Sequence, residues 1–169
     1  MTTIRNVAFI GDGGVGKTTY LERLIDGTFQ QRYVSTIGSM EYYITGNEMG
    51  EEGMLDTNCS FHIIDTAGQE KYGGLGLRVI ERDIDTYMIF FDLTSKLSFK
   101  NCVTWVQKVR AHKVDASIIL VATKADVLER KVRRSSINRF IHKWDIPTCI
   151  EISAKSCYNY SKPFDYIDV

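Results

Sequence analysis

Eight residues near the N-terminus constrain this chain more than any others: Gly11-Asp12-Gly13-Gly14-Val15-Gly16-Lys17-Thr18. They satisfy G-x-x-x-x-G-K-[ST]. An apolar run, Val7 to Ile10, precedes them, and a segment with Tyr20, Leu21, Leu24 and Ile25 on one helical face follows. Glycines let successive backbone N–H groups turn inward around an anion, in conformations that side chains would block. The helix that starts near Lys17 points its positive end at the same anion. Lys17 adds a full charge between β- and γ-phosphates, and the Thr18 hydroxyl is a ligand for Mg²⁺. Asp12, Gly13, Gly14, Val15, Gly16 and Thr19 supply the rest of the loop's contacts. The bland alternative is a glycine-rich turn that happens to contain a lysine. Strand before and helix after speak against it. The motif specifies a nucleoside triphosphate but not its base.

Downstream, short apolar runs alternate with helix-period segments, the pattern of a mostly parallel sheet wrapped by helices. Met40–Ile44 and Ser60–Ile64 read as strands joined by a long solvated hairpin loop with Gly46, Gly50, Glu51, Glu52 and Gly53. Tyr87–Leu93 and Ser117–Ala122 are nearly continuous apolar runs, as strands covered on both faces require. Phe99, Val103 and Val106 mark one helical face; Ile137, Phe140, Ile141 and Trp144 mark another. Pro147 precedes a last run, Thr148–Ile152. Residues 1–169 are expected to form one α/β domain, with Phe164 and Ile167 opening a final helix that is cut short.

Charge and cysteine usage narrow the class. Lys plus Arg (21) balance Asp plus Glu (21), so no net field points to nucleic acid or membrane. The four cysteines, Cys59, Cys102, Cys149 and Cys157, show no C-x-x-C spacing and are expected to be reduced and mostly buried. No signal-peptide pattern, membrane-span pattern or C-terminal prenylation box is visible, so a soluble intracellular monomer without a membrane anchor is expected.

Two later segments single out guanine. Thr123-Lys124-Ala125-Asp126 follows a buried strand, at the end where parallel sheets present ligands. A carboxylate at Asp126 can accept from guanine N1–H and N2–H₂ together, whereas adenine would set a lone pair against it. Leaving buried polar groups unpaired in this way can cost about 10⁴-fold or more. The Lys124 stem can lie against the purine plane. Backbone N–H groups of Ser153-Ala154-Lys155 can donate to guanine O6. A lysine and an aspartate in a surface turn are usually just solvated; their place after the phosphate loop gives them another use.

With these residues the chain resembles the Ras superfamily, whose base motifs are N/T-K-x-D and S-A-K. Asp65-Thr66-Ala67-Gly68-Gln69-Glu70 matches that superfamily's second-switch motif without a departure. The resemblance implies a P-loop GTPase fold with a six-stranded, mostly parallel sheet flanked by helices. It also implies roles: Asp65 holds a Mg²⁺-bound water, the Gly68 N–H senses the γ-phosphate, and Gln69 orients the attacking water. Tyr33–Gly38 resembles the first switch, so Thr36 would ligate Mg²⁺ and contact the γ-phosphate, and Phe29 would pack at the base edge. Neither switch carries an arginine matching a built-in catalytic one. Unaided hydrolysis is then expected on the order of 10⁻⁴ per second, with an activator adding about 10⁵-fold, the magnitudes of Ras itself. Gly13 leaves room that Gln69 and an incoming arginine need. Thr123 stands where most members have asparagine, a departure that bears on nucleotide affinity.

Within the superfamily the Ran branch is most similar, on GDGGVGKTT, DTAGQEKYGGL and AKSCYNYSKPF. That likeness implies an exchange factor, a GTPase activator and importin- or exportin-type receptors as partners, a role in nucleocytoplasmic transport, and residence in nucleus and cytoplasm. Arg130, Lys131, Arg133 and Arg134 form a basic patch that would dock acidic receptors, or simply a solvated helix start. The 46–58 loop is longer than in that branch, residues 76–85 have diverged, and the branch's acidic C-terminal tail has no counterpart. Three other readings stay open: a Rab-like trafficking GTPase, a nucleotide-bound module that sequesters transport factors without cycling, and a P-loop ATPase or nucleoside kinase.

Overall fold

A computed structural model of the chain describes residues 3–29, 38–45, 59–66 and 75–167. Six strands, β1 (Thr3–Gly11), β2 (Ser39–Thr45), β3 (Cys59–Thr66), β4 (Thr86–Asp92), β5 (Ser117–Thr123) and β6 (Cys149–Glu151), form one sheet in the order β2-β3-β1-β4-β5-β6. Among the described strands only the β2–β3 pair is antiparallel; β1 pairs in parallel with β3 and β4, β4 with β5, and β5 with β6. Four helices accompany the described strands: α1 (Lys17–Asp26), α2 (Leu75–Ile80), α3 (Lys96–His112) and α4 (Arg134–Lys143). The expected α/β architecture is therefore present.

Alternation along each central strand divides the core in two. Ala8, Ile10, Tyr87, Ile89, Phe91, Ile118 and Leu120 face the layer containing α2, α3 and α4, where Trp105, Val106, Ile137 and Phe140 meet them. Val7, Phe9, Met88, Phe90, Ile119 and Val121 face α1, where Tyr20, Leu21 and Leu24 cover them. All seven residues of β4 are buried, which explains why that run shows no polar alternation. Ile25, read from periodicity as part of the α1 core face, is 40% exposed at the helix end. Where a final helix was expected, Lys162–Tyr166 form a 3₁₀ turn, with Pro163 in its first turn and Phe164 buried against Phe61.

The sheet order places the site. From β1 the chain passes to the edge strand β2 and returns through β3 beside β1; from β4, on the other side of β1, it builds outward to β5 and β6. The carboxyl ends of β1 and β4 flank this reversal, where open α/β sheets leave a crevice for ligands. The glycine-rich loop sits at that point. Among the described residues no helix is long and apolar enough to cross a membrane.

Candidate nucleotide site

The turn after β1 reaches α1 through Gly16, which stands at the helix N-cap with φ 95°. An L side chain rarely adopts that conformation. No side chain among the described residues caps the helix at Gly16, which leaves its first N–H groups able to meet a ligand. Lys17 is buried, and its ammonium donates to the Gly11 carbonyl at 2.9 Å and the Asp12 carbonyl at 2.8 Å. Its charge is thereby held over the loop. Gly13 and Gly14 are exposed at the loop's outer edge. They line a cleft of about 170 Å³ shared with Asp92 and with Leu97 at the start of α3.

Beside the loop, the Thr18 hydroxyl donates to Asp65 Oδ2 at 2.5 Å. Asp65, next to the last residue of β3, is completely buried, and its Oδ1 has no hydrogen-bond partner among the described residues. Burial pushes the Asp65 carboxyl above its ordinary range, while the Thr18 bond and the Lys17 charge pull it back. A buried, unsatisfied carboxylate oxygen is costly unless something polar meets it. A hard cation, or a water held by one, is the partner that this oxygen-only set suits. Thr18 and Asp65 therefore fit Mg²⁺.

The opposite end of the crevice is built by β5 and β6. The Thr123 hydroxyl lies 2.6 Å from the Val15 carbonyl and 3.1 Å from the Phe91 carbonyl, so its single proton serves the phosphate loop first. Thr123 thus substitutes for the asparagine common in the superfamily with a direct tie between the two loops. Lys124 follows with φ 61°, a strained conformation for a lysine, and its ammonium meets Asp92 Oδ2 at 2.6 Å. Asp92 Oδ1 accepts from the Thr94 N–H and hydroxyl, both at 2.7 Å. Burial raises the Asp92 carboxyl, but the Lys124 and Thr94 bonds outweigh it and hold the group below its ordinary range.

Asp126 is exposed, and its Oδ1 accepts from the Ser153 hydroxyl at 2.6 Å. Ser153 is fully buried, its N–H bound to the Tyr158 carbonyl and its Oγ accepting the Ser156 N–H. The Ala125 N–H donates to the Ile152 carbonyl, so the two base-end loops are laced together by backbone as well. Ala154 is half-buried and Lys155 exposed beside them. Phe29 is half-buried beyond α1.

The described residues thus bring together Asp12 to Thr19, Asp65, Thr123, Lys124, Asp126 and Ser153 to Lys155 at the carboxyl edge of the sheet. Thr36, Gly68 and Gln69, with the 46–58 loop, lie outside the described residues. Sequence reasoning missed Asp92, Asn101 and Trp105. The latter two donate to Asp12 from α3, at 2.7 and 2.9 Å. An aspartate ending an apolar strand is a visible signal for the first; nothing local marks the other two. In the basic patch, Arg130 is paired with Glu151 at 2.7 Å and Val132 is buried, which leaves Lys131, Arg133 and Arg134 exposed.

Comparison with known proteins agrees with this geometry. The model of the Ras family matches residues 6–168. GTP-binding nuclear protein Ran from Giardia intestinalis is 38% identical over an alignment that covers 93% of this chain and 73% of that protein. A match over nearly every residue, with the phosphate loop and both base loops in place, makes this chain a member of the Ras family, a Ran-like small GTPase.

Proposed function

We propose that the chain is a Mg²⁺-dependent GTP/GDP switch that hydrolyses GTP slowly by itself and quickly with an activator, and that it serves Ran-like nucleocytoplasmic transport. The observation that carries the guanine-nucleotide reading is the Thr123 hydroxyl's bond to the Val15 carbonyl. It fixes the phosphate loop against the loop bearing Asp126, so one ligand with phosphates at one end and a guanine at the other meets both.

In this reading Lys17 neutralises charge between β- and γ-phosphates, and the α1 N-terminus and loop amides hold the β-phosphate. Asp126, aimed by Ser153, accepts from guanine. Thr18 and Thr36 would ligate Mg²⁺ and Asp65 would hold one of its waters; the ion, when bound, neutralises charge on the phosphate oxygens. Gln69 would orient the attacking water. Thr36 and Gly68 would grip the γ-phosphate, so its loss would release both switches together. The transport role, the partners and the nuclear and cytoplasmic residence rest on likeness to the Giardia protein.

Competition of unlabelled GTP, GDP and ATP against a fluorescent GDP, with and without EDTA, tests the site. GTP and GDP should compete and ATP should not, and chelation should speed release. Equal competition by ATP would exclude the guanine reading. Pull-down of importin-type receptors by the protein loaded with non-hydrolysable GTP, against GDP, tests the pathway. Equal capture in both states would leave a sequestering module as the better description.

A further inference from the structure

Asp12 is held at both ends. Its backbone carbonyl accepts the Lys17 ammonium at 2.8 Å. Its carboxylate, in a residue only 8% exposed, accepts from α3: Asn101 Nδ2 reaches Oδ2 at 2.7 Å and Trp105 Nε1 reaches Oδ1 at 2.9 Å. The two donors stand four positions apart on α3, one above the other on a single helical face. Trp105 is itself 4% exposed and packed in the core between α3 and the sheet. Neither donor is among the residues that line the cleft beside Gly13 and Gly14. Both donors are neutral, so hydrogen bonding rather than ion pairing fixes the carboxylate. Its field reaches into the helix: burial first, and then the Asp12 charge, push the Cys102 thiol far above its ordinary range.

We infer that Asn101 and Trp105 are positioning residues for nucleotide binding and hydrolysis. They clamp the Asp12 carboxylate, which fixes the peptide whose carbonyl aims the Lys17 ammonium. The Gly11 carbonyl is already anchored by β1, which pairs with β4 through Gly11 opposite Phe90. The Asp12 carbonyl follows the last strand residue and depends on its side-chain tether. With the tether cut, the Gly11 carbonyl stays a well-placed acceptor for Lys17 and the Asp12 carbonyl loses its definition. The inference rests on the phosphate-binding reading of the loop, and wild-type binding of fluorescent mant-GDP tests that reading separately.

Trp105→Phe keeps the ring in the core and deletes one N–H. Asn101→Ala deletes the other donor without touching the core ring. Each should speed mant-GDP dissociation by about tenfold, the scale of one hydrogen bond to a charged group. Each should also lower the single-turnover hydrolysis rate at saturating GTP by several-fold, because a misaimed Lys17 stabilises the transition state less. Trp144→Phe is the control, since the buried Trp144 N–H has no partner among the described residues and its loss removes no bond there. It should change neither rate. Dissociation within twofold of wild type in both variants overturns the inference. So does faster dissociation with an unchanged hydrolysis rate, which would mean a loosened loop and a Lys17 still correctly aimed. An equal effect of Trp144→Phe would mean general softening, and would overturn it too.

Discussion

Gly11 and Gly27 both have positive φ, +140° and +63°, yet their surroundings differ completely. A Cβ built on Gly11 would stand 2.4 Å from the Phe90 carbonyl oxygen and 3.2 Å from the Phe90 C and N atoms. All three are backbone atoms of β4, in register with Gly11, so no side chain can swing away to make room. A Cβ on Gly27, the C-cap of α1, would meet nothing within 4 Å. Gly27→Ala therefore carries only the left-handed strain of an L residue, about 1–2 kcal/mol. Gly11→Ala adds to similar strain the forced separation of β1 from β4, another 1–3 kcal/mol, for a total of about 2–5 kcal/mol. For a domain of this size each kcal/mol moves the melting midpoint by about 2–4 °C. The Gly11 variant should thus melt about 4–20 °C below wild type, centred near 10 °C, and the Gly27 variant only about 2–8 °C below. Both should be melted at the same fixed excess of GDP and Mg²⁺, because ligand linkage otherwise shifts the two by different amounts. Midpoints within about 2 °C of each other would refute the steric argument and mean that β1 and β4 part cheaply at the phosphate loop.

Gln69→Leu and Gly13→Val should leave GTP binding intact and abolish activated turnover, measured in single-turnover assays with a cognate activator; an unchanged rate in either would remove Gln69 from its assigned role. Asp65→Asn should lower the response of GDP release to chelation by about tenfold or more, the usual cost of losing a residue that orients a metal's water. The same variant should melt no lower than wild type in EDTA at neutral pH. A carboxyl whose folded pKa is raised opposes folding while ionised, and that penalty fades as pH falls through the folded value. Asp92 runs the other way: its folded pKa is lowered, so its pair with Lys124 stabilises the fold above the unfolded value of about 3.9 and is lost as pH falls through the folded one. Asp92→Asn should accordingly flatten the acid limb of stability against pH, read by denaturant titration from about pH 5 downward. Among the described cysteines, burial holds Cys102 far above the ordinary thiol range and lifts Cys149 to about 12, so Ellman's reagent should reach the half-buried Cys157 and spare the other two in the native protein.

How much could be read before the coordinates depended on the range over which each feature is encoded. The phosphate loop is a local requirement for backbone shape and charge, and eight consecutive residues state it in full. β4 and β5 announce themselves because a strand buried on both faces has no polar alternation to conceal it. The base loops needed the fold as context, since a threonine, a lysine and an aspartate in a turn mean little until β5 delivers them to the same edge as β1. Strand order carries no local signal, and it came from resemblance. Helix α2 escaped notice because six residues offer less than two turns of periodicity.

Asn101 and Trp105 escaped for a stronger reason. Their partner is 89 and 93 positions away, and each looks ordinary where it stands: an amide on a half-buried position, an indole on a core face. Trp105 does fill the core, but a phenylalanine would fill it nearly as well. What phenylalanine lacks is the one N–H that reaches a carboxylate in the phosphate loop. Thr123, Ser153 and Trp105 all spend a donor on a residue of the nucleotide loops, and none is needed to make a sheet or a helix. An unpaired buried donor or acceptor would cost about 1–3 kcal/mol, so each such contact also acts as a constraint: the loop must return to its place for the core to be satisfied. The shape of the candidate crevice is for that reason set from behind as well, by donors bonded to the protein's own loops.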